Sequence, residues 1–171
     1  MRIAIIGSPG SGKSTLARQL GAITGCEVVH LDRVFWKPGW VETSRTQFVL
    51  AQQRLVEKDA WIIDGNYGST IEIRMRAADT IIWLDVPRRI CLWRALVRTI
   101  RNRGQVRTDM APGCPERIDL QFMQYIWRFP ERERPRLVQL LACAQPQGKN
   151  VVRLTTSNEI YAYLGSFQHE V

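Results

Sequence analysis

An apolar run, RIAII, opens straight into GSPGSGKS at residues 7–14, and no other stretch limits the fold as narrowly. The spacing G-x-x-x-x-G-K-[ST] needs a strand before it and a helix after it. Glycine tolerates the positive φ that turns successive backbone N–H groups inward, so the loop predicts a cradle for an anion. A helix starting at Lys13 adds the positive end of its dipole. Lys13 offers a compact charge to the outer phosphates of a nucleoside triphosphate, and Ser14 an oxygen to Mg²⁺. The expected nucleotide-binding set is therefore Gly7, Ser8, Pro9, Gly10, Ser11, Gly12, Lys13, Ser14 and Thr15. ATP and Mg²⁺ are the expected cofactors.

The rest of the chain repeats the strand–helix alternation. Apolar segments at 2–6, 27–31, 60–63, 80–84 and 151–154 predict five strands. Helices are expected over 13–24, 44–58, 88–102, 116–128 and 136–144, with a last one capped by Thr156 and Glu159. Ser44 with Gln47 forms a capping box at the start of the second of these. Trp93, Leu96, Val97 and Ile100 give the 88–102 helix an apolar stripe at spacings of three and four, with Arg94, Arg98 and Arg101 on the opposite face. The segments 32–40 and 104–115 read as loops, the first rich in aromatics and the second in Gly and Pro. The pattern predicts an α/β fold: three layers, with a five-stranded, mostly parallel sheet covered by helices on both faces. At 171 residues the expectation is one domain spanning 1–171.

Composition narrows the class. No apolar run reaches the ~20 residues that span a bilayer, so a cytoplasmic protein without a membrane partner is expected. Cys26, Cys91, Cys114 and Cys143 lie far apart with only two histidines in the chain, which argues against zinc or a disulfide framework. His30 and His169 are expected to be structural or incidental, and Tyr125 and Trp127 to belong to the core. Residues 88–136 carry twelve arginines against five acidic residues, a net +7 of the chain's +8. Arginine's planar fork suits phosphate, so anionic partners are expected. No Asn is followed by Lys, which excludes the guanine-reading Asn-Lys-x-Asp element.

Taken in order, the loop at 7–14, HLD-x₃-W-x-PGW, DGNY and RxDMxxGCPER resemble the adenylate-kinase-like P-loop kinases over residues 1 to about 140. More narrowly, the chain resembles a bacterial group labelled FlaR-like DNA topology modulation proteins. The resemblance implies transfer of the γ-phosphoryl group of ATP to a small-molecule or nucleotide acceptor. Open parallel sheets bind ligands at the carboxyl ends of their strands, which would place Asp32, Asp64 and the phosphate loop in one crevice. The resemblance implies that Asp32 holds the acceptor and that Asp64, with Ser14, serves the metal. Trp36, Asn66, Tyr67 and Arg74 are the implied acceptor contacts, and 98–117 an Arg-rich helical lid. Within that lid Arg103 and Arg107 are expected to stabilise transferring charge, and Arg101 to stack on the adenine, near a closing turn at 155–158.

Two other readings stay open. The basic 88–136 region fits a nucleic-acid-binding regulator, a less favoured partner class, and the phosphate loop alone fits an acceptor-less ATPase or nucleotide sensor.

Overall fold

The computed structural model describes residues 1–168. At its centre lies β1 (Arg2–Gly7), followed by α1 (Lys13–Thr24), β2 (Val28–His30) and a short α2 (Leu31–Phe35). A two-stranded antiparallel hairpin, β3 (Trp36–Lys37) and β4 (Val41–Glu42), leads into α3 (Arg45–Val56) and β5 (Trp61–Asp64). Then come α4 (Ile71–Ala77), β6 (Thr80–Leu84), α5 (Arg88–Arg101), α6 (Leu120–Arg132), α7 (Arg134–Ala144), β7 (Asn150–Leu154) and α8 (Ser157–Gln168). His169 lies outside the described residues.

Five strands form one parallel sheet in the order β2-β5-β1-β6-β7. Alternation along β1 explains the layering. Ala4 and Ile6 face one apolar cluster with Trp61, Ile63, Ile71 and Phe129, while Ile3 and Ile5 face another with Leu16, Leu20, Ile62 and Leu164. Both faces are therefore buried, and helices cover each. Truncating Ile5 or Ile63, each fully buried, to Ala would cost about 2–5 kcal/mol through lost transfer energy and the cavity left behind. The α/β expectation holds, and every pair in the main sheet is parallel.

Three local expectations are corrected. The aromatic segment 32–40 is not an open loop but α2 and the β3–β4 hairpin, because Asp32 to Phe35 complete a helical turn directly after β2. In α5 the buried face is Cys91, Ala95 and Thr99, whereas Trp93 and Ile100 are 66% and 58% exposed. Small residues win there because α5 must lie close to the 7–14 loop. The next helix begins at Leu120, not residue 116, since Asp119 caps it by accepting from the N–H groups of Gln121 and Phe122. It runs on to Arg132 through Pro130. The Ser44–Gln47 and Thr156–Glu159 caps form as expected. All four cysteines are free, and no described helix is long and apolar enough to cross a membrane.

Candidate active site

At the carboxyl end of the sheet, β1 delivers the 7–14 loop and β5 delivers Asp64 beside it, the register pairing Ile5 with Asp64. Because β1 lies between β5 and β6, the loops leaving neighbouring strands diverge there and open a crevice. A cavity of about 890 Å³ fills it.

Its floor is the loop. Gly10 sits at φ +80°, and a Cβ there would meet the Cys91 carbonyl oxygen at 2.2 Å, so only glycine lets the loop rest on α5. Pro9, Gly10, Gly12, Lys13, Ser14 and Thr15 line the cavity. Gly7 lies beneath them as the last residue of β1, and Ser8 and Ser11 are buried under the loop. The Ser11 hydroxyl has no partner among the described residues. The first N–H groups of α1 have no acceptor within their own helix, so they are free for an anion. Lys13 Nζ donates to the Ser8 carbonyl at 2.8 Å, curling the side chain over the loop. Burial lowers the pKa of Lys13, opposed by the charges of Asp64 and Asp32.

Two carboxylates stand opposite. Asp64 is buried and its Oδ1 lies 2.7 Å from His30 Nδ1. Of the two expected readings of His30, structural or incidental, the pair matches the first: the β2–β5 register sets His30 directly against Asp64. Asp32, on α2, accepts from the Tyr67 hydroxyl at 2.6 Å. Burial raises the pKa of Asp32, the Tyr67 hydrogen bond pulls it back down, and the Asp64 charge raises it again. Burial and Asp32 together raise the pKa of the Tyr67 phenol, so it stays a donor. Among the described residues the two non-glycine positions with positive φ are Trp40 and Tyr67, and both line this cavity. Backbone strain of this kind concentrates at binding sites.

The roof comes from α5 and the 104–115 loop. Arg94, Arg98 and Arg107 line the cavity. Arg94 reaches the Ser11 carbonyl at 3.5 Å and the Ser157 hydroxyl at 2.9 Å, tying the 7–14 loop to the turn after β7. Glu116 gathers two guanidiniums: Arg107 Nε at 2.5 Å and Arg98 Nε at 3.5 Å, while Thr99 donates to it at 3.0 Å. Arg107 also pairs with Asp109 at 2.9 Å. Burial works against the Asp109 charge, and Arg107 together with hydrogen bonds from Ser14 and the backbone outweighs it, holding that carboxyl below its usual range.

Three expected positions fall elsewhere. Arg101 and Arg103 are exposed and do not line the cavity: Arg101 shares the face of Arg94 and Arg98 but is the last residue of α5, beyond the part that borders the cavity, and Arg103 lies past the helix end. Arg74 is fully buried behind the wall, donating to Gln52 and to the carbonyls of Gly65 and Asn66. Trp36, Asn66 and Tyr67 do line it. Tyr125 packs on the core and also faces the cavity, while Trp127 is 39% exposed beneath the Arg88 guanidinium. Glu116 and Asp109, which hold the inward arginines, had a visible signal in the RxDMxxGCPER stretch but no assigned role.

With this geometry the fold can be compared with others. Among solved structures the chain is similar to the shikimate kinase from Acinetobacter baumannii in complex with shikimate, at TM-score 0.61 and 14% identity over 99% of this chain and 91% of that one. It is also similar to the shikimate kinase from Bacteroides thetaiotaomicron, at TM-score 0.56 and 16% identity over 99% and 97% of the two chains. No family model and no curated protein matches the sequence. The fold is that of the P-loop NTPases. At such identities the likeness establishes the architecture, and the site's chemistry must be argued from its own residues.

Proposed function

We propose that this chain is a single-domain P-loop kinase of the adenylate-kinase-like kind, in the FlaR-like group, that transfers the γ-phosphoryl of ATP to a small acceptor. The observation that carries the reading is the convergence of Lys13, Asp32 and Asp64 with Arg98 and Arg107 on one cavity above an N–H-lined loop. A sensor that only binds nucleotide has no use for a second, polar and aromatic compartment beyond the phosphate loop.

The residues fit Mg²⁺, a hard cation that takes oxygen ligands. Ser14 would hold it directly and Asp64 through water. Among the described residues no three His, Cys, Asp or Glu side chains form a metal cluster, so phosphate and water oxygens would complete the shell. When bound, the ion draws charge off the phosphates.

Asp32 orients the acceptor hydroxyl and takes its proton. The acceptor oxygen bonds to the γ-phosphorus, the bond to the β–γ bridging oxygen breaks, and ADP leaves with the electron pair. Lys13, Arg98 and Arg107 stabilise charge on the transferring oxygens, and the 98–117 segment excludes water as a lid. Arg94, at the turn after β7, takes the place on the adenine side that the sequence assigned to Arg101. Most of the rate enhancement is positioning and charge neutralisation. The test is ADP release from MgATP across a panel of candidate acceptors. Stimulation in the wild type that is lost in Lys13→Ala supports the reading, and stimulation that survives the substitution contradicts it.

A further inference from the structure

Beyond the phosphate loop, the far half of the cavity is built from Asp32, Trp36, Trp40, Asn66 and Tyr67. Its fixed charge is the first clue. Asp32 is the carboxylate of this half, and the fully buried guanidinium of Arg74 is turned behind the wall onto Gln52 and two backbone carbonyls. Arg117 is exposed at the rim, 5.4 Å from the centroid of the Trp40 ring. Arg98 and Arg107 are paired with Glu116 and Asp109, and what they have left to offer goes to the phosphoryl group being transferred. A phosphate or carboxylate brought beside Asp32 would therefore be buried against a like charge, while Lys13, Arg98 and Arg107 are committed to the phosphates of ATP and to their acidic partners.

The second clue is an open hydrogen-bonding valence. Asn66 is 91% buried, yet neither its amide oxygen nor its amide nitrogen makes a well-formed hydrogen bond among the described residues, the Tyr125 hydroxyl standing nearby. Such a group is costly unless a ligand completes it. An amide presents a donor and an acceptor side by side and carries no charge, so its complement is a neutral polar edge. Trp36 and Trp40 supply the third clue. Their rings stand 5.3 Å apart at 72°, anchored to the 104–115 loop through Met110, Ala111 and Cys114, and both remain half-buried with surface in the cavity. Aromatic walls of this kind receive flat, apolar faces.

We infer that the acceptor is a neutral alcohol with a flat apolar face, its hydroxyl on Asp32 and a neutral polar edge on Asn66, and that phosphorylated and carboxylated acceptors are excluded. This rests on the kinase reading above. It sets the chain apart from the A. baumannii neighbour, whose crystal ligand, shikimate, is a carboxylate.

The experiment pairs neutral alcohols with charged counterparts that leave a hydroxyl free. Ribonucleosides are set against their 3′- and 5′-monophosphates, benzyl alcohols against carboxybenzyl alcohols, and shikimate is included. Binding is read by calorimetry on protein saturated with MgADP, and turnover by ADP release from MgATP. At least one neutral member should bind and turn over with kcat/KM about 100-fold or more above its charged counterparts. Asn66→Ala, with its fold checked by thermal melting, should raise that member's KM. A charged member that equals or exceeds its neutral parent overturns the inference. So does the failure of every neutral member to bind a protein that still takes up MgATP. Loss of MgATP uptake itself overturns instead the kinase reading beneath it.

Discussion

The Tyr67 hydroxyl donates to Asp32 at 2.6 Å, across 35 positions of sequence, and so fixes the carboxylate that faces the phosphate loop. This hydrogen bond stabilises the ionised carboxylate against a burial that raises its pKa. Tyr67→Phe removes the opposing effect, so the pKa of Asp32 rises further. Since Asp32 must be ionised to take a proton, the acid limb of the kcat/KM profile should move to higher pH in that variant. An acid limb that stays in place, or moves down, would show that Asp32 is not the group being titrated.

His30 and Asp64 form a buried pair at 2.7 Å on neighbouring strands. His30→Ala strips a partner from a buried carboxylate, which should cost about 1–3 kcal/mol in denaturant-induced unfolding. The freed carboxylate also loses its orientation, so the Mg²⁺ concentration needed for half-maximal activity should rise. Unchanged values of both would make the pair incidental.

Glu116 is the shared anion of Arg98 and Arg107. Glu116→Gln keeps the shape and a partner for Thr99 but releases the two guanidiniums from each other. Loss of their alignment should lower kcat about 10- to 100-fold while KM for ATP changes much less. A fall in ATP affinity with kcat preserved would assign Glu116 to nucleotide binding instead.

Gly10 packs on the Cys91 carbonyl with φ +80°. Gly10→Ala introduces both a backbone clash and a left-handed conformation unfavourable by about 1–2 kcal/mol for an L residue. Thermal melting should register a loss of at least that size, with MgATP binding weakened as the loop is pushed off α5. A variant as stable as the wild type would mean that the loop relaxes freely.

The phosphate loop was legible in the sequence because its chemistry lies in eight contiguous residues whose spacing dictates strand, turn and helix. Asp32 and Asp64 were legible for a related reason: Asp64 ends β5, Asp32 comes just after β2, and the ends of parallel strands converge. Arg107 was named from its loop and does line the cavity, but the inward arginines of α5 were not singled out. Arg94, Arg98 and Arg101 share one face, so which of them reaches the cavity depends on where along its length α5 meets the 7–14 loop, and the face it buries there is that of the small residues Cys91, Ala95 and Thr99 instead of the large apolar Trp93 and Ile100. Close approach to Gly10 decides it, a contact between residues eighty positions apart. The His30–Asp64 pair was hidden likewise, since it exists only in the register that β2 adopts against β5. Arg74 looked available from its position after DGNY, yet Gln52 on α3 captures it.

Calorimetric titration of MgATP into the wild type and into Lys13→Ala tests the nucleotide site most directly. One site per chain is expected in the wild type, with affinity reduced at least about 100-fold by the substitution, equivalent to about 2.7 kcal/mol, in a variant that still unfolds cooperatively. No uptake by the wild type, or equal uptake by both, would contradict the role given to the loop at residues 7–14.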